Sequence, residues 1–208
     1  MSVLRIDATI QGDRSASSAL ADLVLDEFVA ARPEVPVVRR HLGQDPLPAH
    51  AWEAAISGSF AQDADRTAAQ REALATAQTV AAELKDATTV ALPLYNFGVS
   101  QHAKTWIDLA LAGAPLGTRL LEGTPTVLIT TRGGAYGPGT PREGWDHNTA
   151  FLRRIVGDVW GADLVLIERE LTLAGVNPAM APFIETAELM KKAAHEAATH
   201  AGRTLASR

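Results

Sequence analysis

Three short segments of the chain carry the side chains best suited to binding a small molecule. The first is rich in hydroxyl groups, the second combines aromatic, aliphatic and amide side chains, and the third contains two adjacent glycines. In chain order, the candidate residues are Thr9, Ser15, Ala16 and Ser17; Leu94, Tyr95, Asn96 and Phe97; and Thr131, Arg132, Gly133 and Gly134. Hydroxyl groups suit an anion, whereas aromatic groups suit a flat ring.

The hydroxyl-rich segment directly precedes a predicted helix. Its hydroxyl groups and free backbone N–H groups would therefore lie at the positive end of the helix dipole. A phosphate monoester is well held there, because hydroxyls donate hydrogen bonds without adding charge and the helix terminus supplies a favourable potential. Ser15 or Ser17 has a simpler alternative role as the N-cap of this helix. The sequence leaves both roles open.

The other two segments favour a flat, partly polar ligand. A ring such as isoalloxazine needs apolar contact on its faces and amide groups along its edge, and residues 94–97 offer both. The pair Gly133–Gly134 lacks Cβ atoms, so backbone amides there can approach a ring closely. The alternatives are a strand-end aromatic residue packed in the core, and a flexible surface turn at the glycines.

Hydrophobic periodicity predicts five strands that alternate with helices. The predicted strands are 3–8, 35–42, 88–92, 126–130 and 162–167. Helices between them are indicated by Leu20, Val24 and Phe28; by residues 51–60 and 67–85; by Trp106, Ile107, Ala110 and Leu111; and by Phe151, Ile155 and Val159. A final Ala-rich helix begins near Pro178 or Pro182 and runs to about Leu205.

This alternation predicts an α/β fold of three layers, in which helices cover both faces of a five-stranded parallel sheet. The expected strand order is 2-1-3-4-5, as in flavodoxin-like proteins. No linker or repeat divides the chain, so residues 1–208 are predicted to form a single domain. Ligands of such folds bind beyond the carboxyl ends of the strands, where the loops after the first, third and fourth strands carry the three candidate segments.

Composition excludes several other classes of function. The 208 residues have a net charge of −5, which disfavours binding to nucleic acid or to an anionic membrane. The absence of cysteine excludes disulfides, thiolate metal sites and cysteine nucleophiles. No apolar stretch has the length of a signal peptide or of a membrane span, so we expect a cytoplasmic protein.

Familiar nucleotide and metal motifs are also missing. The loop after the first strand contains only Gly12, which excludes a dinucleotide-binding fingerprint there, and no Walker loop is present. His195 and His200 are five residues apart, so their rings diverge on a helix instead of sharing a metal ion. We therefore predict no metal site.

Taken together, three motifs make the chain resemble a known family over nearly its whole length. They are the pair Ser15 and Ser17, the run Pro93-Leu94-Tyr95-Asn96-Phe97, and Thr131-Arg132-Gly133-Gly134. Because these motifs follow the first, third and fourth strands, the chain resembles the FMN-dependent NADH azoreductases, also described as NADH:quinone oxidoreductases. The Tyr-Asn-Phe run is the most specific of the three.

The resemblance implies a function and a set of binding residues. Thr9 and residues 15–17 would bind the FMN phosphate, and residues 94–97 and 131–134 would line the isoalloxazine ring. NADH would pass a hydride to the flavin and leave, and a quinone or azo compound would then take its place. The flavin carries this chemistry, so no obligatory catalytic residue is nominated. The resemblance further implies a homodimer in which the second subunit completes the cleft.

Two points stay open at the level of sequence. Tyr136 is a candidate for covering the flavin or for donating a hydrogen bond to a reduced acceptor, and ordinary loop packing is its alternative role. A flavodoxin-like electron carrier that binds FMN without NADH-dependent turnover is the alternative function. Residues 43–65 and 136–148 argue against a carrier, because they add material around the cleft that a simple carrier does not require.

Overall fold

A five-stranded parallel sheet organises the molecule. A computed structural model describes residues 2–208, apart from the side chains of residues 86–88. The strands are β1 (Val3–Asp7), β2 (Val37–His41), β3 (Ala87–Ala91), β4 (Pro125–Thr131) and β5 (Asp163–Arg169). Their order is β2-β1-β3-β4-β5, and all four neighbouring pairs are parallel. The predicted fold class and strand order are confirmed.

Helices cover both faces of the sheet. They are α1 (Ala16–Ala31), α2 (Ala51–Phe60), α3 (Ala68–Glu83), α4 (Gln101–Ala112), α5 (Thr149–Arg153) and α6 (Ile184–Ala206). One apolar core joins α1 and α6 to the sheet, and a larger core on the opposite face contains residues of α2, α3, α4 and α5. The inner strands β1 and β4 are therefore buried on both faces, with every residue of β1 and all of β4 after Pro125 buried.

Local sequence signals account for where three of these six helices begin. Ser15 caps α1, its hydroxyl accepting from the Ser18 N–H at 3.1 Å, and Ser100 caps α4 in the same way. Thr67 and Gln70 form a reciprocal capping box at the start of α3. The helices α1 and α6 approach closely, because a Cβ atom on Gly202 would lie 2.3 Å from the Val24 carbonyl oxygen. A glycine is required at this contact.

The fifth helix differs from its sequence prediction. Leu152 and Val156 are its buried apolar residues, whereas Phe151 is half-buried and Val159 is exposed, so the predicted apolar face is displaced by one position. After Arg153 the helix continues as a π-helical turn over Arg154–Val159, with the Trp160 N–H donating to the Ile155 carbonyl. This wider turn rotates the side chains beyond the spacing of a regular α-helix.

Two tryptophans lie in the core. Trp106 and Trp160 are fully buried and pack edge to face, with ring centroids 5.4 Å apart. At the end of the chain, a 3₁₀ turn over Pro178–Phe183 precedes α6. Both predicted starting prolines lie within that turn, and the α-helix itself begins at Ile184.

Candidate flavin site at the carboxyl edge of the sheet

A cleft of about 220 Å³ lies beyond the carboxyl ends of the strands. Loops following β1, β3, β4 and β5 form its walls. Its lining residues are Thr9, Gln11, Arg14, Ser15, Ala16, Ser17, Pro93, Leu94, Tyr95, Thr131, Gly133, Thr172, Leu173 and Val176. All three segments singled out from the sequence therefore contribute to one cleft.

The β1 loop forms a polar end of the cleft. Ser15 and Ser17 are both buried, and their hydroxyl oxygens lie 3.1 Å apart at the first turn of α1. The first N–H groups of a helix have no carbonyl partner within it, so they remain available to an anion. Ser15 is the N-cap of α1 and also lines the cleft, so its capping role does not exclude the phosphate-binding role that the sequence left open.

Thr9 connects this polar end to the β3 loop. Its hydroxyl oxygen accepts from the Gln11 N–H at 3.0 Å and lies 3.3 Å from the Tyr95 hydroxyl. The Ile10 N–H also donates to the Tyr95 hydroxyl, at 3.0 Å. These hydrogen bonds connect the β1 and β3 loops, which are far apart in sequence, and they fix the side chain of Tyr95 across the cleft.

The β3 loop makes a tight, strained turn. Tyr95 and Gly98 exchange both backbone hydrogen bonds, at 3.0 and 2.9 Å. Between them, Asn96 and Phe97 have φ angles of 48° and 67°. Two consecutive left-handed residues characterise a type I′ turn, in which the second position strongly favours glycine. Phenylalanine at that position is strained, and such strain is concentrated at functional sites.

An exposed aromatic group lies beside this turn. Phe97 is 41% exposed and packs edge to face against Tyr136 and Trp145, with centroid distances of 6.4 and 5.6 Å. The Arg142 guanidinium lies 5.7 Å from the centre of the Tyr136 ring. We refer to Phe97, Tyr136 and Trp145 as the aromatic rim. Asn96, Phe97 and Tyr136 are not among the residues that line the cleft itself within residues 2–208.

The glycine segment approaches the loop after β5. The Leu173 N–H donates to the Gly133 carbonyl at 3.1 Å, and the Leu171 N–H donates to the Gly134 carbonyl at 3.1 Å. A Cβ atom on Gly133 would lie 2.8 Å from a methyl carbon of Leu173. The absence of a side chain at Gly133 therefore admits Leu173, which forms an apolar wall opposite Pro93 and Leu94.

Arg132 belongs to a buried network and does not line the cleft in the described part of the chain. Its guanidinium donates to Asp146 at 2.5 Å, to Glu170 at 2.8 Å, to the Thr149 hydroxyl at 2.9 Å and also to Glu168. Burial alone would lower the pKa of Arg132, but these carboxylates outweigh it and raise the pKa. The side chain stays protonated.

Asp146 is the most constrained carboxylate of this network. Burial would raise its pKa, but hydrogen bonds from the Thr149 N–H and hydroxyl and from the Asn148 N–H lower it, together with the charge of Arg132. The net effect places the pKa of Asp146 below its ordinary value. These groups therefore favour the ionised form of the carboxylate.

Sequence reasoning missed part of the cleft. Gln11 and Arg14 lie within the predicted β1 loop, and Arg14 is a cation next to the hydroxyl pair. Thr172, Leu173 and Val176 follow β5, a loop that the sequence did not single out. Topology could have identified the loop after β5, because the carboxyl end of β5 lies at the same edge of the sheet as the other three loops.

Other sequence predictions concern metals and membranes. No cluster of His, Cys, Asp or Glu in residues 2–208 has the geometry of a metal site. His195 lies half-buried on α6, where burial, Arg169 and Lys191 lower its pKa. Among the described helices, none combines the length and apolar composition that a membrane crossing demands.

Comparison with known proteins identifies the family. Residues 1–194 match the family described as having a flavodoxin-like fold. The FMN-dependent NADH:quinone oxidoreductase of Frankia alni is 35% identical over 202 residues, covering 94% of this chain and 95% of the relative. A protein of the same name from Streptomyces avermitilis is 34% identical and covers 99% of this chain and 97% of the relative.

Solved structures agree at the level of the fold. The azoreductase of Bacillus anthracis strain Sterne superimposes with a TM-score of 0.75 at 20% identity, covering 98% of this chain and all of that chain. An FMN-dependent NADH-azoreductase from Bacillus anthracis strain Ames Ancestor, solved in complex with FMN, gives a TM-score of 0.72 at 18% identity, with 97% and 100% coverage. The resemblance predicted from the three motifs is confirmed: this chain belongs to the flavodoxin-like family that includes the FMN-dependent NADH:quinone oxidoreductases.

Proposed function

We propose that this protein is an FMN-dependent oxidoreductase that uses NADH to reduce quinones, and azo compounds as further acceptors. One observation carries the proposal: three sequence motifs that are far apart along the chain line a single cleft at the carboxyl edge of the sheet. The names of the relatives from Frankia alni and Streptomyces avermitilis supply the reaction, and their similarity extends over almost the entire chain.

The chemistry of the cleft fits FMN at both ends. Buried Ser15 and Ser17 hydroxyls, the start of α1 and the cation of Arg14 suit a phosphate dianion. The apolar walls formed by Leu94 and Leu173 suit a flat ring. Among the predicted binding residues, Thr9, Ala16, Tyr95, Thr131 and Gly133 also line the cleft. Asn96, Phe97 and Gly134 flank it and stay predictions as direct contacts. The Arg132 side chain is instead bonded to Asp146, Glu168 and Glu170.

Within this proposal the protein binds and orients the reactants. FMN supplies the hydride and electron transfer when it is bound. The aromatic rim lies beside the β3 loop, where Phe97 and Tyr136 can contact a nicotinamide or a quinone ring. NADH and the acceptor would occupy this place in turn, so no side chain needs to act as a nucleophile. Tyr136 stays our candidate for donating a hydrogen bond to the reduced acceptor.

We also propose that the protein acts as a homodimer and that residues 1–208 form one FMN-binding domain in the cytoplasm. Support for the dimer comes from the cleft, whose 220 Å³ is below the ~300 Å³ typical of a complete ligand site. Exposed apolar side chains surround it, including Phe97, Trp145, Val176 and Phe183. A second subunit that covers these groups would complete the site. Light scattering of the purified protein tests this state.

A spectroscopic titration tests the proposed function. The purified protein is loaded with FMN, reduced anaerobically with NADH, and then treated with a benzoquinone while the visible flavin absorbance is followed. We expect saturable binding, loss of the absorbance with NADH and its recovery with quinone. Binding without NADH-dependent bleaching would instead identify an electron carrier. The absence of saturable FMN binding would contradict both functions.

A further inference from the structure

Arg132 is the centre of a network that connects three segments around the cleft. Its partners are Asp146 and Thr149 at the start of α5, and Glu168 and Glu170 at the end of β5. Arg132 itself directly follows β4 and is 7% exposed. An arginine fork can bond several carboxylates at fixed angles, so it sets the relative position of the segments that carry them.

The Asp146 branch leads to the strained turn of the β3 loop. Asp146 accepts from the Asn148 N–H at 2.8 Å and the Thr149 N–H at 2.9 Å, which fixes residues 146–149. From this segment, the His147 N–H donates to the Phe97 carbonyl at 3.0 Å. The buried Asn148 side chain donates to the Leu92 carbonyl and the Thr130 hydroxyl, each at 3.1 Å. The network thereby supports Phe97 in its left-handed conformation.

The Glu170 branch leads to the other side of the aromatic rim. One carboxylate oxygen of Glu170 accepts from Arg132 at 2.8 Å, and the other accepts from the Tyr136 N–H at 3.0 Å. Glu170 is nearly buried, with 12% of its side chain exposed. The backbone of Tyr136 is therefore held by a carboxylate whose own position depends on Arg132.

The geometry points to Arg132 as a positioning residue that sets the aromatic rim for the second substrate, without contacting FMN itself. Through Asp146 it fixes Phe97, and through Glu170 it fixes Tyr136. This inference rests on the proposed function, since the rim is taken to receive the nicotinamide of NADH and the quinone. It assigns Arg132 a different task from the cleft contact predicted by sequence, because the guanidinium is directed into the carboxylate network.

Two variants test the inference in the FMN-loaded protein. Arg132→Met removes the centre of the network, and Glu170→Gln keeps the size of the side chain but cannot accept from both Arg132 and Tyr136. Because a charge-assisted hydrogen bond is lost, we expect the KM for benzoquinone to rise by about tenfold or more in each variant. The Kd for FMN should stay within about threefold, since the Ser15–Ser17 end of the cleft is unchanged.

Amide hydrogen exchange supplies a measurement that does not depend on turnover. In Arg132→Met, exchange should accelerate by at least about tenfold in peptides that contain Tyr136 and His147. In Glu170→Gln the acceleration should be confined to the peptide containing Tyr136. The matched control is Arg40→Met, because Arg40 also forms a two-bond ion pair, with Glu83, and lies outside the cleft. It should alter neither the KM nor these peptides.

The outcomes distinguish this inference from the proposed function. If the wild-type protein binds no FMN or is not reduced by NADH, the proposed function fails. If the wild type turns over and both variants retain its KM and its exchange rate at Tyr136, the positioning role of Arg132 is wrong. Should Arg132→Met fail to fold, Glu170→Gln alone decides between these results.

Discussion

The two ends of the cleft each depend on a buried arginine, but the arginines are built into the molecule differently. Arg5 is 3% exposed and bonds Asp7, Asp22 and the Ser18 carbonyl, all of which lie in or next to β1 and α1. The four side-chain partners of Arg132 lie up to 38 residues away in sequence, at the ends of separate elements.

Because of this difference, one end of the cleft contributes mainly to the stability of the fold and the other mainly to substrate binding. The polar end is part of a single strand–helix unit, whose caps and ion pairs form together with the secondary structure. The aromatic end is the side of the cleft next to the aromatic rim. It consists of the strained turn at Phe97 and two loops, which the ion pairs of Arg132 hold in place. We therefore expect damage near Arg5 to lower global stability, and damage near the aromatic rim to change substrate binding more than stability.

The largest effect should come from Arg5→Met. The substitution leaves the carboxylate of Asp7, 8% exposed, without its buried partner. Removing one member of a buried ion pair destabilises a protein by about 3 to 5 kcal/mol. Urea denaturation should show this loss. Arg132→Met should cost less, because its carboxylate partners keep other stabilisation. Asp146 still accepts from the Asn148 and Thr149 N–H groups, and Glu170 still accepts from the Tyr136 N–H. Glu168 is 43% exposed and can be rehydrated. An equal or larger loss for Arg132→Met would contradict the comparison.

Ser17→Ala should weaken FMN binding without weakening the fold. Ser17 lies in the first turn of α1, and its hydroxyl is 3.1 Å from that of Ser15 inside the cleft. Loss of one hydrogen bond to a charged phosphate costs about 1.5 to 3 kcal/mol, or roughly 10- to 100-fold in Kd. Alanine has a higher helix propensity than serine, so the unfolding free energy should stay constant or rise.

Fluorescence titration with FMN measures that Kd. Ser59→Ala is a suitable control, because Ser59 is an exposed helical serine outside the cleft. An unchanged Kd in Ser17→Ala would show that the FMN phosphate does not bind at this end of the cleft.

The sequence predicted the polar end of the cleft more completely than the aromatic end. Hydroxyl groups before a helix have a local physical meaning, so Ser15 and Ser17 could be recognised from their positions alone as N-cap or anion-binding candidates. Strand periodicity likewise predicted the five strands, whereas their order was expected from the alternation of strands and helices. These features depend on residues that are close together in the chain.

Non-local packing explains what the sequence could not predict. Nothing in the types of Thr172, Leu173 and Val176 marks them as cleft residues, because they gain that role only when β5 lies beside β4. Arg132 is similar: its motif indicates a ligand contact, but its direction is decided by Asp146 and Glu170 from other segments. The displaced face of α5 depends on a π-helical turn that periodicity does not detect.

Gly133→Ala should produce a smaller effect that depends on the Leu173 side chain. The added Cβ would lie 2.8 Å from a methyl carbon of Leu173, so Leu173 must shift within the cleft. Overpacking of this kind costs about 1 to 3 kcal/mol. We expect the lower part of this range in FMN affinity, because a leucine side chain can move. The double variant Gly133→Ala with Leu173→Ala should lose less affinity than the two single variants added together, because the clash disappears with the leucine side chain. If it does not, the loss of affinity in Gly133→Ala comes from the backbone and not from a clash with Leu173.

The smallest effect on stability should come from Phe97→Gly, at the other end of the comparison. A left-handed residue other than glycine costs roughly 1 to 2 kcal/mol, and glycine at position 97 removes this strain. The lost edge-to-face contacts with Trp145 and Tyr136 contribute about as much, so the free energy of unfolding should change by less than about 1 kcal/mol.

Activity should respond to this substitution much more strongly. Because the aromatic rim loses its central ring, the KM for quinone should rise although the fold is intact. Leu94→Ala is the contrasting variant: Leu94 is buried next to the same turn, and its truncation should cost about 2 to 5 kcal/mol. Urea denaturation and steady-state kinetics of both variants measure the two quantities. A large loss of stability in Phe97→Gly would mean that this phenylalanine is retained for packing, and that the strain at the turn serves no substrate.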